Sequence, residues 1–153
     1  MKAKYINPFI KAIVEVLKVM AFVKVKASKP YLKKDDMATG DVSAIVGMTG
    51  QSNGTFSLSF DEAGILAIAT NMFGEKITKL DREVTEVVGE IANMVSGQAR
   101  RELETMGLVL DGAIPSVFGG TNHNILHFTE GPKIAIPFTM EEGKLTMEVC
   151  FEF

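Results

Sequence analysis

Hydrophobic residues recur at helical spacing in two long segments of the chain. In residues 8–22 the apolar side chains lie three and four positions apart, so we expect an amphipathic helix with Asn7 as its N-cap and Pro8 in its first turn. Residues 78–106 contain no proline and carry a similar apolar stripe, and Gly107 follows them. This second segment therefore predicts a longer helix that ends at about Met106.

The remaining segments show the alternation of short strands. Residues 41–48 and 55–60 favour β structure and are separated by glycine, serine and asparagine, which predicts a hairpin. The apolar residues after Asp61 indicate a short helix that stops at Gly74. Valine alternates with lysine in residues 23–31, as in a half-exposed strand. Further strands are predicted at residues 108–110, 116–118, 125–128, 133–139 and 144–153, the last two forming a second hairpin.

The order of these elements is similar in the two halves of the chain. Each half has a long apolar helix, a strand that contains Pro30 or Pro115, and a hairpin with a glycine in its turn. This repetition suggests a degenerate internal duplication. Together the elements predict a single α+β domain over residues 1–153, with a largely antiparallel sheet packed against two long helices.

Composition narrows the functional classes. The chain has 16 basic and 19 acidic residues, with no basic block that could follow a phosphate backbone, so nucleic acid is not expected as a partner. Charged residues interrupt the first helix at Lys11, Glu15 and Lys18, and we expect neither a membrane anchor nor a secretion signal. The single cysteine, Cys150, lies in a predicted strand as a small apolar residue, which fits a reducing cytoplasm.

The polar face of the long central helix carries the most informative residues. It includes Glu83, Glu86, Glu90 and Asn93, and the last two are three residues apart on one helical face. A carboxylate and a carboxamide therefore project together. Gly89 and Gly97 flank them, and each costs a helix interior about 1 kcal/mol relative to alanine. Close packing at these glycines would explain that cost, either by a partner's backbone or by the protein's own sheet.

A proline follows Asn93 after 22 residues, at Pro115. This Glu-x-x-Asn motif with its distant proline resembles the signature of the CheC/CheX/FliY family of chemotaxis phosphatases, and the chain is most similar to CheX-like members. The resemblance extends from the segment at Asn7 to the final hairpin. It implies a CheC/CheX-like fold and a hydrolase that removes the phosphoryl group from the aspartyl-phosphate of a CheY-like response regulator in two-component signalling.

The resemblance also implies roles for individual residues. Asn93 would orient the attacking water and Glu90 would pair with the regulator's lysine, so these two are the expected catalytic residues. Glu86, Gly89, Gly97 and Pro115 are expected to face the partner. Glu86 is a departure, because the family often has aspartate or serine at that position. The first helix lacks a Glu-x-x-Asn motif, which implies one site per chain, as in CheX.

The resemblance further implies partners and cofactors. No cofactor is expected on this chain, and magnesium is expected on the receiver domain of the partner. A cytoplasmic homodimer formed by joining sheets is expected, and the long run 144–153 would be an edge that needs cover. The alternative function is a non-catalytic CheX-like binding module, which would recruit a response regulator without hydrolysing its phosphoryl group.

Other candidate sites have simpler explanations. His123 and His127 would share a strand face but have no evident third ligand, so no metal is assigned. Residues 47–54 lack the Gly-Lys-Ser/Thr ending of a P-loop and fit a hairpin turn. Residues 119–121 are not followed by a helix that could bind an anion, so a loop is favoured. Ser96 lies within the predicted central helix, which excludes a nucleophile elbow.

Overall fold

Helices and antiparallel strands alternate along the chain, in agreement with the predicted α+β class. The structure is a computed structural model, and it describes residues 3–120, 123–127 and 129–152. The helices are α1 (Ala3–Ala21), α2 (Glu62–Phe73) and α3 (Arg82–Thr105). The strands are β1 (Lys26–Ala27), β2 (Tyr31–Lys33), β3 (Val42–Gly50), β4 (Gly54–Phe60), β5 (Leu110–Gly112), β6 (Ser116–Gly119), β7 (Lys133–Met140) and β8 (Gly143–Phe151).

The strands of the described ranges form one antiparallel sheet with β4 and β8 at its centre. Its order is β1, β7, β8, β4, β3, β5, while β2 also pairs with β7 and β6 also pairs with β3. The two hairpins, β3–β4 and β7–β8, therefore supply the four long strands, and the short strands lie along the two outer edges. Both hairpins confirm the sequence prediction.

The topology agrees with the predicted internal duplication. The series α1–β1–β2–β3–β4 is repeated as α3–β5–β6–β7–β8. The short strands β1 and β2 pair with β7 of the second half, and β5 and β6 pair with β3 of the first. Pro30 and Pro115 occupy equivalent positions, one residue before β2 and β6. Since each half completes the other half's sheet edge, the two repeats form one folding unit.

The helices cover one face of the sheet. α1 and α3 pack against each other, and α3 also contacts β3, β5 and β6. Phe56, Leu58 and Phe60 alternate along β4 and are fully buried beneath the helices. The ring of Phe9 in α1 lies 5.2 Å from that of Phe56 and 5.9 Å from that of Phe151. Such aromatic pairs contribute about 0.5–1.5 kcal/mol each beyond their buried area.

The start of α1 differs from the prediction. The helix begins at Ala3, so Pro8 lies inside it and Asn7 is not its N-cap. Proline in a helix interior costs about 3 kcal/mol, because it has no N–H to donate and its ring crowds the preceding turn. The extra turn before Pro8 buries Ile6, which is 8% exposed. Burying such a side chain stabilises by about 1.5–3 kcal/mol, which offsets much of the cost of the proline.

Two predicted strands are displaced. Residues 23–31 contain only the two-residue strand β1, and β2 begins at the last residue of that range. The prediction of residues 108–110 overlaps β5 at Leu110 alone. These segments are strands only where they reach an edge of β7 or β3. Local alternation cannot specify that position, because it depends on which long strand lies alongside.

Two predictions for the C-terminal third were wrong in part. Residues 125–127 form no strand, and the pairing nearby is a single bridge between Asn124 and Met37; the predicted end of that strand, Phe128, lies outside the described residues. β8 is an interior strand between β4 and β7, not an exposed edge. The strand β8 is therefore already paired on both sides and needs no cover from a second copy of the chain. Phe153, the end of the predicted run, also lies outside the described residues.

The face of the sheet opposite the helices carries a buried polar network. Lys33 Nζ lies 2.7 Å from Glu148 Oε2, and their side chains are 5% and 1% exposed. His127 Nε2 lies 3.1 Å from the other carboxylate oxygen, and the His127 ring also hydrogen-bonds with Thr55. The network holds the segment that contains His127 against β4 and β8.

None of the helices in the described ranges combines the length and apolar character that crossing a bilayer requires.

The Lys33–Glu148 pair should contribute strongly to stability. We expect Lys33→Met to lower the free energy of unfolding by about 3–5 kcal/mol, because it leaves a buried carboxylate without its cation. The matched control is Lys11→Met. The Lys11 ammonium lies 3.6 Å from Glu102 and the Lys11 side chain is 73% exposed, so this substitution should change stability little. Urea unfolding of both variants provides the measurement. Equally small losses would contradict the structural role of the buried pair.

Candidate functional site

α3 is the element that presents the predicted site residues. Asp81 caps its first turn, where a carboxylate oxygen accepts a hydrogen bond from the Val84 backbone N–H at 3.2 Å. This cap explains why the helix begins at Arg82, four residues after the predicted start at Thr78. The buried residues recur at helical spacing, and they are Val84, Val87, Val88, Ile91, Ala92, Val95, Ser96, Ala99 and Leu103. This burial fixes the rotation of the helix and turns its polar side outward.

The outward side of α3 is a row of four polar residues, here called the α3 ridge: Glu83, Glu86, Glu90 and Asn93. All four are exposed. Glu86 Oε1 lies 3.4 Å from Arg82 Nε in a largely solvated pair, which contributes little to stability. Glu90 and Asn93 have no hydrogen-bond or ion-pair partner in the described part of the chain. Their side chains are therefore available to a molecule outside the protein.

The two glycines of α3 have different surroundings. A Cβ at Gly89 would lie 3.3 Å from Cγ2 of Val117 in β6, so this glycine permits close packing of the helix on the protein's own sheet. A Cβ at Gly97 would meet only the mobile ends of Arg101 and Arg100, at 3.6 and 4.0 Å. The internal fold does not require glycine at this second position. Gly97 leaves open space on the helix one turn after Asn93.

Pro115 lies in the connection that runs beside α3. A Cβ at Gly112, just before the connection, would lie 2.7 Å from Arg100 Nε near the end of the helix. After the connection, Cγ2 of Val117 would lie 3.3 Å from a Cβ at Gly89, in the first half of the helix. These contacts bracket Pro115, so its segment passes alongside the part of α3 that carries Asn93. The structure thus places the segment of Pro115 alongside α3, although Pro115 follows Asn93 by 22 positions in the sequence.

A groove beside the ridge was not predicted from the sequence. It is called the α2–α3 groove here, and it is lined by Met72, Phe73, Glu83, Glu86, Val87 and Glu90. Met72 and Phe73 are the last residues of α2, and Gly74 ends the helix in the left-handed conformation with φ of 73°. Periodicity identified both residues only as parts of an apolar helix. Their place beside Glu90 depends on how α2 packs against α3.

The other sequence candidates are engaged in the internal structure. His123 hydrogen-bonds with the Gly120 carbonyl at 2.6 Å and with Ser43 at 2.7 Å, while His127 belongs to the buried network described above. Ser96 is buried and accepts a hydrogen bond from Arg100 Nε at 3.3 Å. Within the described ranges, no three residues of the types His, Cys, Asp and Glu are grouped so that they could hold a metal ion.

The chemistry available at the ridge is limited to positioning and charge. The Glu90 carboxylate and the Asn93 amide project into solvent from a helix whose other side is buried, and a further acidic residue, Glu86, lies one turn away. An amide can orient a water molecule by donating and accepting hydrogen bonds, and a carboxylate can bind a cation. The arrangement therefore suits a substrate that brings its own electrophile and most of its own catalytic groups.

Comparisons with known proteins identify relatives over nearly the whole chain. A family model described as chemotaxis phosphatase CheX matches residues 42–139. The CheY-P phosphatase CheX of Thermotoga maritima is 26% identical over 143 residues, which cover 93% of this chain and 92% of that protein.

Solved structures agree with this family. The crystal structure of CheX from Vibrio vulnificus has a TM-score of 0.92 and 46% identity, covering 98% of this chain and all of that one. CheX in a complex with CheY, BeF3 and Mg from Borrelia burgdorferi has a TM-score of 0.82 and 26% identity, with coverage of 97% and 98%. These matches confirm the resemblance and the fold predicted from the sequence.

The two helical glycines should respond differently to alanine. We expect Gly97→Ala to raise the free energy of unfolding by about 0.5–1 kcal/mol, because alanine favours the helix and its methyl group has space. Gly89→Ala is the matched control, and it should lose this gain because its methyl group presses on Val117. Urea unfolding measures both changes. A marked destabilisation by Gly97→Ala would show that the fold itself needs glycine there.

Proposed function

This chain belongs to the CheX family of chemotaxis phosphatases, and we propose that Glu90 and Asn93 form its catalytic site. The protein accelerates hydrolysis of the aspartyl-phosphate on the receiver domain of a CheY-like response regulator. The observation that carries the assignment of the site is the pair of exposed side chains one turn apart on α3, neither of which has a hydrogen-bond or ion-pair partner within residues 3–120, 123–127 and 129–152. They project together from a helix whose opposite side is fully buried.

Phosphoryl transfer explains why these two residue types suffice. The reaction involves a loose transition state, so catalysis consists mainly of positioning the attacking water and stabilising charge. Asn93 accepts a hydrogen bond from the water and aims its oxygen at phosphorus, in line with the aspartate leaving group. The amide is uncharged, so it does not repel the phosphoryl oxygens. The aspartate, the phosphoryl group and the magnesium ion all belong to the substrate protein.

Glu90 has a docking role in this proposal. Its carboxylate pairs with the lysine of the receiver's active site, and this contact sets how far Asn93 enters the site. A rigid helix holds the two side chains three residues apart, so binding through Glu90 also orients Asn93. The proposal needs no covalent intermediate and no cofactor on this chain.

The residues around the pair have supporting roles in the proposal. Glu86 lies one turn before Glu90 and adds negative charge to the surface that the receiver contacts. Gly97 leaves space for the receiver next to Asn93. Pro115 borders the same part of α3. Gly89 acts indirectly, because its contact with Val117 holds α3 close to the sheet and so sets the height of the ridge.

Assembly and location complete the proposal. We expect a homodimer that forms by joining sheets, and in the described structure the outer sides of β1, β2, β5 and β6 are the edges to which a further strand could be added. A cytoplasmic location agrees with the receiver domain as partner. It also agrees with Cys150, a buried free thiol of the kind that persists in a reducing compartment.

Loss of Glu90 should weaken docking. We expect Glu90→Ala to raise the half-saturating concentration of the phosphorylated receiver, because truncating a charged contact at the centre of an interface often costs about 2 kcal/mol or more. Initial rates measured against receiver concentration test this expectation. The melting temperature should barely change, since the side chain is exposed. A large loss of stability would show instead that Glu90 has a structural role.

Loss of Asn93 should affect chemistry more than binding. We expect Asn93→Ala to lower the rate of dephosphorylation about a hundredfold or more, since it removes a group that acts in the transition state. The variant should still bind a receiver that carries beryllium fluoride. Asn93→Asp should also be slow, because a carboxylate repels the phosphoryl oxygens. The assay follows decay of a phosphorylated receiver after removal of the small phosphodonor.

The same assay tests the alternative of a non-catalytic binding module. Wild-type protein at a stoichiometric amount should accelerate the decay, whereas a module would bind the receiver and leave the decay unchanged. Wild-type activity in Asn93→Ala, with unchanged binding, would contradict the proposed mechanism but not the family assignment.

A further inference from the structure

An aromatic residue is exposed beside the catalytic pair. Phe73 retains 43% of its surface in solvent at the end of α2, where it lines the α2–α3 groove with Met72 and Val87. Large apolar side chains that line an exposed groove often mark a contact surface. The groove is continuous with the proposed catalytic site, because Glu90 lines one of its walls.

The rim of this groove is acidic. Glu83, Glu86 and Glu90 all line it, and the nearby Arg82 is paired with Glu86. An apolar floor bordered by carboxylates complements an apolar side chain that has lysine or arginine beside it. Such a combination provides buried area at the centre of a contact and charge pairs at its edge, as in many transient interfaces.

The size of a protein interface places the groove within reach of the bound receiver. A standard interface covers about 800 Å² on each partner, equivalent to a disc with a radius of about 16 Å. Glu83 and Asn93 are ten residues apart, which is about 15 Å along a helix. A receiver domain whose phosphorylated aspartate lies at Asn93 therefore extends over the groove.

We propose that the α2–α3 groove selects the receiver domain, by accepting an apolar side chain of the receiver against Phe73 while basic residues beside it pair with Glu83 and Glu86. The inference rests on the proposed function and extends it from the reacting pair to the residues that determine which receivers bind. Receivers that lack an apolar residue flanked by positive charge at this position are poor substrates, even though their active-site aspartate and lysine are the same.

The test compares two exposed phenylalanines. Phe73→Ala should raise KM for the phosphorylated receiver about tenfold, with most of the loss in KM rather than kcat, because the contact is made before the reaction and persists through it. The matched control is Phe118→Ala on β6. Phe118 is 47% exposed and is the register partner of Ser43, so it lies on the face of the sheet opposite the helices. This control should leave KM and kcat unchanged.

A second variant tests the charge of the groove. Glu83→Gln keeps the shape of the side chain and lies in the first turn of α3, away from Asn93. It should lower the association rate with the receiver at low salt and reduce the dependence of that rate on ionic strength. Phe73→Leu, which keeps an apolar contact, should recover most of the affinity that Phe73→Ala loses. Melting temperatures of all variants identify any loss of folding, and Glu83→Gln is informative even if Phe73→Ala proves unstable.

The outcomes separate this inference from the proposed function. If wild-type protein accelerates dephosphorylation but Phe73→Ala and Glu83→Gln both behave like Phe118→Ala, the groove inference is wrong and the catalytic proposal stands. If wild-type protein has no phosphatase activity, the proposed function fails first. If Phe73→Ala leaves KM unchanged but lowers the oligomeric mass that light scattering measures for the free protein, the groove binds a second copy of the chain and the inference is overturned.

Discussion

The burial of one side of α3 is the constraint on which the rest of this structure depends. Each fully buried valine, leucine or isoleucine contributes about 1.5–3 kcal/mol, and α3 buries such residues along its whole length between α1 and the sheet. A rotation of the helix would expose this stripe. The position of the opposite side is therefore fixed as well, and it holds Glu90 and Asn93 in place although neither has a hydrogen-bond or ion-pair partner among the described residues.

This arrangement separates stability from activity. The residues that hold the fold are the apolar side chains under the helices and the Lys33–Glu148 network on the other face of the sheet. The residues assigned to catalysis are exposed and can change without a large effect on folding. A site of this kind needs no deep pocket, because the substrate is a folded domain that supplies the phosphoryl group and its own shape.

The duplicated topology does not produce two equivalent sites. α1 and α3 occupy related positions in the two repeats and pack against each other, and α3 also lies over β3, β5 and β6. Yet α1 exposes Lys11, Glu15 and Lys18 where α3 exposes the acidic ridge. α2 adds a further difference, because it occurs once, between the two repeats, and its end lies against α3. The fold thus provides two similar platforms, and the sequence and the position of α2 make one of them a candidate receiver-binding surface.

The sequence alone determined the fold class, the long helices, the two hairpins and the placement of Glu90 and Asn93 on one face of a helix. These depend on periodicity and on fixed helical spacing, which are local properties of the chain. It could not determine the short strands, because β1 and β5 form only where they meet β7 and β3. It also placed Pro8 at the first turn of a helix, whereas α1 begins one turn earlier and buries Ile6 there. Only the tertiary structure brought Pro115 beside α3 and Phe73 beside Glu90, because such contacts join segments that are distant in sequence and arise when apolar surfaces pack together.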